Sequence, residues 1–483
     1  MSDLKNKTAK GLAWGGIFTL LQQAIGVFFA IFLARLLSPS DYGMVGMLSI
    51  FSALASLLQD AGFVIVLTNR KGIVKSEYST VFWFNVIMSL IIYIFFYVSA
   101  PLIGSYFNKE QIVPLSRYVF LGFFFSSFGV IQSAVLYKQM SVKEKGIGTL
   151  TGIILSGILG IILAINGFAY WGLATQGLFS TIVTTSIMWF YSPFRPSFVL
   201  DYKFLCSILP EGLKMILPNL AVTISDNVYS LILGRLYSVK DVGFFSQASR
   251  YNTLGYSITL GMIRNVSQPM LVQIKDDKEE FIRAFRKLFR FAALLSIPVM
   301  FILALLAPEL ISFILSSKWY FAGFLLRIMC IGGAFVVFTS LASYLFISLN
   351  KSSLYMWLGT VSSLTNIIFA ILASIWGVVS LAISVSFLSF FTFVVYFYYV
   401  HNLIGYSCKM ILNDLIPVLL PTISVVSFVY FTTAQFENIL LLLITRIILS
   451  ISLFLVIMNF LKYDVFEEAK VIIFAKLKSF FSW

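Results

Sequence analysis

Long apolar runs, joined by short polar loops, constrain the fold of this chain more than any other feature. Each run has about the 20 residues that an α-helix needs to cross the hydrocarbon core of a bilayer. Of the 483 residues, 59% are hydrophobic and 11% are charged, whereas a soluble domain carries about a quarter charged residues. The runs do not alternate apolar and polar side chains as the strands of an outer-membrane barrel do. The sequence therefore predicts an all-α protein that crosses a membrane many times.

The apolar runs predict about 14 transmembrane spans. In chain order the spans lie at 12–34, 42–68, 80–103, 114–137, 147–166, 168–191, 214–236, 243–268, 291–315, 320–349, 354–375, 377–400, 411–432 and 438–461. Lys and Arg residues concentrate in alternate loops, and the other loops hold Arg35, Lys109, Arg235, Lys240 and Lys318. Because positively charged loops stay on the cytoplasmic side, this pattern predicts a cytoplasmic N-terminus and a cytoplasmic C-terminus.

Several functional classes leave no signal in the sequence. The net charge is +14, but the basic residues form short clusters between apolar runs, which argues against a nucleic-acid partner. Cys206, Cys330 and Cys408 lack the spacing of metal ligands, and His401 belongs to no recognisable motif. The sequence contains no Gly-rich phosphate loop and no signature of a zinc protease or a serine hydrolase. We therefore expect a protein that is not an enzyme and that binds no metal or cofactor.

One short segment occurs twice, at an offset of 200 residues. Segments 35–43 (RLLSPSDYG) and 235–243 (RLYSVKDVG) share the Arg, Leu, Ser, Asp and Gly positions. Ser38 precedes Asp41 by three residues, and Ser238 precedes Asp241 in the same way. This spacing is typical of a capping box ahead of a helix, and an Asp also suits the positive end of the helix dipole. We therefore expect these four residues to cap helices, not to bind substrate.

The repeated segment also predicts the domain organisation. Each copy links one span to the next on the outer side, and six spans separate the copies, so the two halves have the same orientation. We predict an N-lobe at 1–200 (spans 1 to 6) and a C-lobe at 201–402 (spans 7 to 12), with a cleft between them. Residues 403–483 add spans 13 and 14 and a tail that is either a cytoplasmic amphipathic helix on the inner leaflet or a frayed end.

Three segments at the start of the chain resemble a known family. Segments 10–16 (KGLAWGG), 34–44 (ARLLSPSDYGM) and 60–63 (DAGF) are similar to polysaccharide-export flippases. These are the Wzx-like and teichuronic-acid-exporter-like branch of the multidrug/oligosaccharidyl-lipid/polysaccharide (MOP) superfamily. The resemblance implies two six-helix lobes in a V around a central cavity that opens alternately to either side.

The resemblance also implies a function. Members of this branch transfer an undecaprenyl-diphosphate-linked oligosaccharide, such as an O-antigen, capsule or exopolysaccharide unit, from the inner to the outer leaflet of the bacterial inner membrane. We expect no bound cofactor, and the acidic residues within the spans could couple transport to H⁺ or Na⁺. Membrane lipid, the lipid-linked glycan and polysaccharide polymerase or assembly proteins are the implied partners.

Cationic residues within the spans are the first candidates for substrate binding, because a charge at the centre of a bilayer costs about 2.5–3.5 kcal/mol or more. In the family, spans 1, 2, 7 and 8 line the cavity, and lipid II flippases carry arginines in spans 1, 2 and 8. Here span 1 has no charge between Gly11 and Ala34, and span 2 has Asp60. Arg250 in span 8 matches the family position, and Arg327 in span 10 is a second candidate. The alternative for both is snorkelling to the outer headgroups.

Acidic and amide residues within the spans are candidates for ion coupling or sugar contact. Asp226, near the middle of span 7, and Asp60, towards the inner end of span 2, could titrate, and Asn227 could help Asp226 to bind a cation. A pair with an arginine or a hydrogen bond between helices is the alternative for Asp226, and a break in the helix is the alternative for Asp60. Gln22 and Gln23 interrupt span 1 near its middle, where they either contact sugar hydroxyls or form hydrogen bonds between helices.

Three rival functions stay open on the sequence alone. A drug/cation antiporter of the same fold would depend on acidic cavity residues more than on arginines. A membrane polysaccharide polymerase or acyltransferase often needs a sizeable outer loop or a His or carboxylate pair in the membrane, and the outer loops here are short. A non-transporting scaffold for the polysaccharide machinery would tolerate the loss of every intramembrane charge.

Overall fold

The computed structural model describes residues 2–60, 67, 70, 72–274, 277–468 and 470–471, and the side chains among them except those of 2–13, 60 and 211–218. These residues form helices and contain no strand, which confirms the predicted all-α class. The α-helices are α1 (Ser2–Leu36), α2 (Pro39–Gly46), α3 (Ser49–Asp60), α4 (Lys75–Phe107), α5 (Ile112–Lys138), α6 (Val142–Ile165), α7 (Ala169–Tyr191), α8 (Tyr202–Leu236), α9 (Val239–Gln273), α10 (Lys278–Leu315), α11 (Tyr320–Ser348), α12 (Ser352–Ala373), α13 (Val378–Ile404), α14 (Cys408–Thr432) and α15 (Ile439–Phe460).

Within the described ranges, 11 helical segments are long and apolar enough to cross a membrane. This finding confirms a polytopic helical membrane protein. Helices α7, α8 and α9 occupy the places of predicted spans 6, 7 and 8 but fall outside that set of 11. Helices α8 and α9 carry charged residues, among them Asp226 and Arg250, that lower the mean hydropathy of a segment. The total of 14 spans therefore stays a prediction.

Two short turns between neighbouring helices are built around glycine. Gly167, between α6 and α7, has a φ of 80°, and Gly377, between α12 and α13, has a φ of 107°. Side chains other than glycine rarely adopt this left-handed region. A 3₁₀ turn, Ser374–Trp376, precedes Gly377. Each pair of helices thus reverses direction within a few residues.

Helix α10 is much longer than the bilayer core. Its 38 residues extend for about 57 Å at about 1.5 Å per residue. Asp277 caps its N-terminus, where one carboxylate oxygen accepts hydrogen bonds from the backbone N–H groups of Glu279 and Glu280, both at 3.0 Å. Residues 278–290, which the sequence left in the loop before the predicted span 291–315, are therefore the first part of a continuous helix that is long and apolar enough to cross the membrane.

The chain divides into two compact units, Met1–Gly243 and Phe244–Trp483. In the first unit, α4 packs on α5, α6 packs on α1 and α7, and α3 packs on α8. Its core near the predicted cytoplasmic loops includes the buried side chains of Phe82, Ile131 and Phe194. These apolar contacts hold the ends of α4, α5 and α7 together.

The second unit is built around α10 and α11, which pack along each other. Helix α13 packs on α11, while α14 and α15, the additional pair, pack on α10. Aromatic rings fill the centre of this unit: Phe289 contacts the rings of Phe338, Phe397 and Tyr406 at centroid distances of 4.8, 5.3 and 5.6 Å. The predicted amphipathic tail lies, from residue 472 onward, outside the described residues.

Candidate substrate and ion sites

Helix α9 presents one polar face to its surroundings. Arg250 on this face is exposed, and it forms no hydrogen bond or ion pair with any residue that the structure describes. Further polar residues follow Arg250 at helical spacing, namely Thr253, Ser257, Arg264 and Gln268. Intervals of 3, 7, 14 and 18 residues from Arg250 return to the same side of a helix with about 3.6 residues per turn. A polar stripe on a helix at the place of a predicted span indicates contact with water or a polar ligand.

On the sequence alone, the place of Arg264 within about one turn of the end of the predicted span 243–268 favours snorkelling to the headgroups. Arg264 lies 14 residues after Arg250, or about 21 Å along the helix axis. Like Arg250, it is exposed, and no hydrogen bond or ion pair joins it to another described residue. The helical spacing of the two arginines was a signal that could have identified it.

Arg327, the second predicted substrate cation, has protein partners. Its Nη2 lies 3.6 Å from Oε2 of Glu309, and its Nε donates to the carbonyl oxygen of Ala304 at 3.2 Å. Its side chain is 31% exposed. The arginine therefore belongs to an intramembrane ion network and still presents part of its guanidinium to the surroundings.

Arg446 in α15 shares the same carboxylate. Its Nη1 lies 3.0 Å from Oε1 of Glu309, and its Nε donates to Oγ1 of Thr433 at 3.0 Å. Only 3% of the Arg446 side chain is exposed, so it acts within the protein and does not reach the headgroups. Sequence reasoning missed Glu309, although this carboxylate lies six residues before the end of α10, at a depth similar to those of the two arginines in α11 and α15.

Asp226 lies on an exposed face of α8 that also carries Val222. It makes no hydrogen bond or ion pair within the described part of the chain. The predicted helper Asn227 instead donates from Nδ2 to the carbonyl oxygen of Thr223 at 3.0 Å, within its own helix. An unpaired carboxylate near mid-membrane is costly in hydrocarbon, so this face is suited to a water-lined cavity.

The polar candidates of the first three helices behave differently from one another. Nε2 of Gln22 donates to the carbonyl oxygen of Gly146 in α6 at 3.5 Å. This is a hydrogen bond between helices, one of the two alternatives that the sequence left open for Gln22. Gln23 is exposed and forms no hydrogen bond to a described residue. Asp60 ends α3, and its side chain lies outside the described residues.

Both copies of the repeated segment form the capping box. Oδ2 of Asp41 accepts from the backbone N–H of Ser38 at 2.8 Å, and Oγ of Ser38 accepts from the backbone N–H of Asp41 at 3.3 Å. The corresponding distances for Ser238 and Asp241 are 3.1 and 3.2 Å. These four side chains are engaged in bonds at the starts of α2 and α9, which is the architectural role expected from their spacing.

A second polar network, near the predicted cytoplasmic side, surrounds Asp414. This carboxylate is fully buried and accepts hydrogen bonds from Nε of Arg286 and Nε of Arg290, both at 2.6 Å. The hydroxyl of Tyr406 donates to it at 2.8 Å. Burial, and next the negative charge of Asp414, raise the pKa of Tyr406, so this hydroxyl stays protonated and keeps donating.

The described residues hold no group of three or more His, Cys, Asp or Glu side chains that could bind a metal ion. The second unit offers the exposed cations Arg250 and Arg264 on α9, and the first unit, taken by itself, offers the exposed carboxylate of Asp226 on α8. Cations of this kind suit phosphate groups, and a carboxylate suits a small cation or a proton. The arrangement can bind and release charged ligands, but it offers no pairing of a nucleophile with a base.

Comparisons with known proteins agree with this fold and with the resemblance. The chain is 22% identical over 337 residues to the lipopolysaccharide biosynthesis protein WzxC of Escherichia coli (strain K12), covering 68% of each chain. It is 21% identical over 340 residues to the teichuronic acid biosynthesis protein TuaB of Bacillus subtilis (strain 168), covering 69% of each chain. The solved structure of the lipid II flippase MurJ in an inward closed conformation matches with a TM-score of 0.74 and 16% identity, over 93% of this chain and 99% of that one. This likeness establishes a shared fold.

A family model supplies the remaining comparison. The model described as polysaccharide biosynthesis protein matches residues 32–322, which is more than half of the chain. The match includes both copies of the repeated segment and helices α4 to α10. The predicted resemblance is thereby confirmed, and the chain belongs to the polysaccharide biosynthesis protein family.

Proposed function

We propose that this protein is a flippase that moves a lipid-linked oligosaccharide, carried on undecaprenyl diphosphate, across the bacterial inner membrane. Membership of the polysaccharide biosynthesis family supports this function, and so do the names of the relatives WzxC and TuaB. The fold shared with a lipid II flippase is consistent with the same class of cargo. The glycan itself is an O-antigen, capsule or exopolysaccharide unit.

The polar face of α9 is the single observation that carries this proposal. Arg250 and Arg264 stand about 21 Å apart on one side of a spanning helix, exposed and without a partner among the described residues. Arginine binds phosphate oxygens through charge-assisted hydrogen bonds. The two guanidinium groups therefore offer the diphosphate, or the acidic groups of the glycan, successive positions along the membrane normal.

Asp226 supplies the second role in the proposal. Its exposed carboxylate can exchange a proton or bind Na⁺ without first breaking an ion pair with another described residue. Binding of a cation would neutralise this carboxylate and so remove its repulsion of an anionic lipid-linked sugar. The side-chain nitrogen of Asn227 donates to the carbonyl oxygen of Thr223. The side-chain oxygen of Asn227 is therefore the atom that can act as a further ligand of the cation.

The proposed mechanism is alternating access between an N-lobe (1–200) and a C-lobe (201–402), with 403–483 as an addition outside the repeated core. The positive loops support an orientation with both termini in the cytoplasm. Polysaccharide polymerase or assembly proteins would receive the glycan at the outer leaflet. The protein acts by binding and release and forms no covalent intermediate.

Reconstitution into liposomes tests this function. A fluorescent undecaprenyl-diphosphate oligosaccharide is placed in one leaflet, and its transfer is followed through protection from an external sugar-modifying enzyme. We expect wild type to transfer the lipid and Arg250→Gln to reduce the initial rate by about tenfold or more, since a charged hydrogen bond is worth about 1.5–3 kcal/mol. Arg250→Lys should retain part of the rate because it keeps the charge.

Arg117→Gln is the matched control. Arg117 is a partly exposed arginine of α5 that stacks over the ring of Tyr97 at 4.4 Å and donates from Nε to the carbonyl oxygen of Tyr97 at 3.3 Å, and it lies outside the proposed site. Equal loss in the Arg117 and Arg250 variants would mean that the effect is structural. If wild type transfers none of several lipid-linked glycans but exports small organic cations, the antiporter of the same fold replaces the flippase.

A further inference from the structure

An apolar groove opens on the surface of the second unit between α10, α11 and α14. It has a volume of about 340 Å³. Its walls include Phe301, Leu305, Arg327, Ile331, Tyr430 and Phe431. Ile331 is 47% exposed and Phe431 is 75% exposed. Because these rim side chains are apolar, the groove suits the hydrocarbon of the bilayer and not a water-filled cavity.

Arg327 brings a positive charge to this apolar groove. Glu309 is its carboxylate partner, but that carboxylate lies closer to Arg446, at 3.0 Å, than to Arg327, at 3.6 Å. Among the described residues, no other carboxylate pairs with either arginine. Two cations therefore share one anion, and although the ring of Tyr430 lies 5.7 Å from Arg446, the three ionised side chains carry one net positive charge beside the groove.

The depth of this charge corresponds to the edge of the outer leaflet. Glu309 lies six residues before the end of α10 at Leu315, and Arg327 lies seven residues after α11 begins at Tyr320. Both positions are about 10 Å from the helix ends, which the distribution of basic residues places on the outer side. An uncompensated guanidinium that contacts hydrocarbon at this depth is costly, so an anion with an apolar body would stabilise it.

We propose that this groove binds a resident anionic glycerophospholipid of the outer leaflet. The phosphate accepts hydrogen bonds from Nη1 of Arg327, since Nε is already bonded to Ala304 and Nη2 is oriented towards Glu309. One acyl chain lies in the groove along Phe301, Leu305 and Phe431. A zwitterionic lipid carries its own cation near the phosphate and compensates the net positive charge less well than an anionic lipid does.

This lipid is a structural ligand and not the cargo. It covers the seam where α14, from the additional pair, packs on α10. The inference does not depend on the proposed transport function, because it concerns a lipid that stays bound while the cargo moves.

Native mass spectrometry of the purified full-length chain tests the proposal. The protein is titrated with phosphatidylglycerol and, separately, with phosphatidylcholine of identical acyl chains. We expect wild type to bind phosphatidylglycerol at least about tenfold more tightly, as one charge-assisted contact provides. Arg327→Gln should abolish this preference, Arg327→Lys should keep part of it, and Arg117→Gln should leave it unchanged.

A second variant keeps the test decisive if Arg327→Gln folds poorly. Ile331→Trp at the exposed rim fills the groove and leaves the arginine in place, so it should weaken phosphatidylglycerol binding at least about fivefold. Equal affinity of wild type for both lipids would mean that the acyl chain occupies the groove without any contribution from the headgroup charge, and it would overturn the proposal. So would unchanged binding in both variants. Displacement of the phospholipid by undecaprenyl diphosphate, one for one, would assign the groove to the transport path instead.

Discussion

Gly43 packs directly against the carbonyl oxygen of Val239, with no room for a Cβ atom between them. Gly243 packs against the carbonyl oxygen of Pro39 in the same way. The two contacts are related by the 200-residue offset of the repeated segment, since position 39 corresponds to 239 and 43 to 243. All four residues lie in the first compact unit. The two copies of the segment therefore contact each other reciprocally, through the glycine that both share.

Gly43→Ala should destabilise the protein by about 1–3 kcal/mol, because the added methyl group overlaps a backbone carbonyl and the helices must move apart. Gly26→Ala is the matched control, since nothing lies within 4 Å of a Cβ at that position, and alanine is the better helix former by about 0.5–1 kcal/mol. Thermal unfolding in detergent should show a lower midpoint for the first variant and an unchanged or higher one for the second. Equal midpoints would contradict the close contact.

The sequence identified these two segments but could not reveal their contact. Identical spacing of Ser and Asp was enough to predict the capping boxes, because capping depends on residues three positions apart. The glycine contact joins residues about 200 positions apart, and a single sequence contains no signal for that pairing. The same limit applied to the ion networks: sequence places Arg327 and Arg446 at a similar depth, but it does not tell which helices lie side by side.

The polar face of α9, in contrast, depends on residues of one helix, whose spacing can be read from the sequence. Arg250 could be predicted from its place within a span and from the resemblance to the family. Arg264 lies close to the end of its predicted span, so the sequence favours snorkelling there. Counting helical turns from Arg250 places both arginines on one face of the helix. The buried position of Asp414 could not be predicted, because its partners Arg286 and Arg290 belong to the long continuous helix α10, whose first turns the sequence assigned to a loop.

Asp414→Asn should destabilise the second unit by about 3–5 kcal/mol, because it removes the negative charge of a buried carboxylate that pairs with both Arg286 and Arg290. Asp464→Asn is the matched control: Asp464 also lies near Arg290, at 3.3 Å, but its side chain is 80% exposed. An exposed ion pair contributes about 0–1 kcal/mol. Chemical unfolding in micelles measures both changes, and a similar loss in the two variants would contradict the importance of burial.

Glu309 should couple more strongly to Arg446 than to Arg327. Two double-mutant cycles measure this difference, one with Glu309→Gln and Arg446→Met and the other with Glu309→Gln and Arg327→Gln. The first coupling free energy should reach about 1–3 kcal/mol, because the pair is buried and the atoms lie 3.0 Å apart. The second should be smaller, since that pair is longer and more exposed. Equal coupling in the two cycles would mean that the charges act as one undivided network.

Asp226→Asn should separate ion coupling from substrate binding. If the Asp226 carboxylate senses the coupling ion, an imposed H⁺ or Na⁺ gradient accelerates lipid transfer by wild type, and the variant loses most of this acceleration while it keeps its slow basal transfer. The amide has nearly the same shape as the carboxylate but neither titrates nor offers a charge to a cation. Parallel assays in liposomes, with and without the gradient, measure the ratio of the two rates.

Asp464→Asn provides the matched substitution, because this carboxylate lies after α15 and outside the membrane-spanning helices. An imposed gradient should accelerate lipid transfer by the Asp464→Asn variant as much as it does for wild type. Asn227→Ala then tests the neighbour: loss of Na⁺ dependence with retained H⁺ dependence would assign the Asn227 oxygen to a cation site. An Asp226 variant that responds to both gradients as wild type does would remove this residue from the coupling mechanism, and it would leave the arginines of α9 as the functional charges.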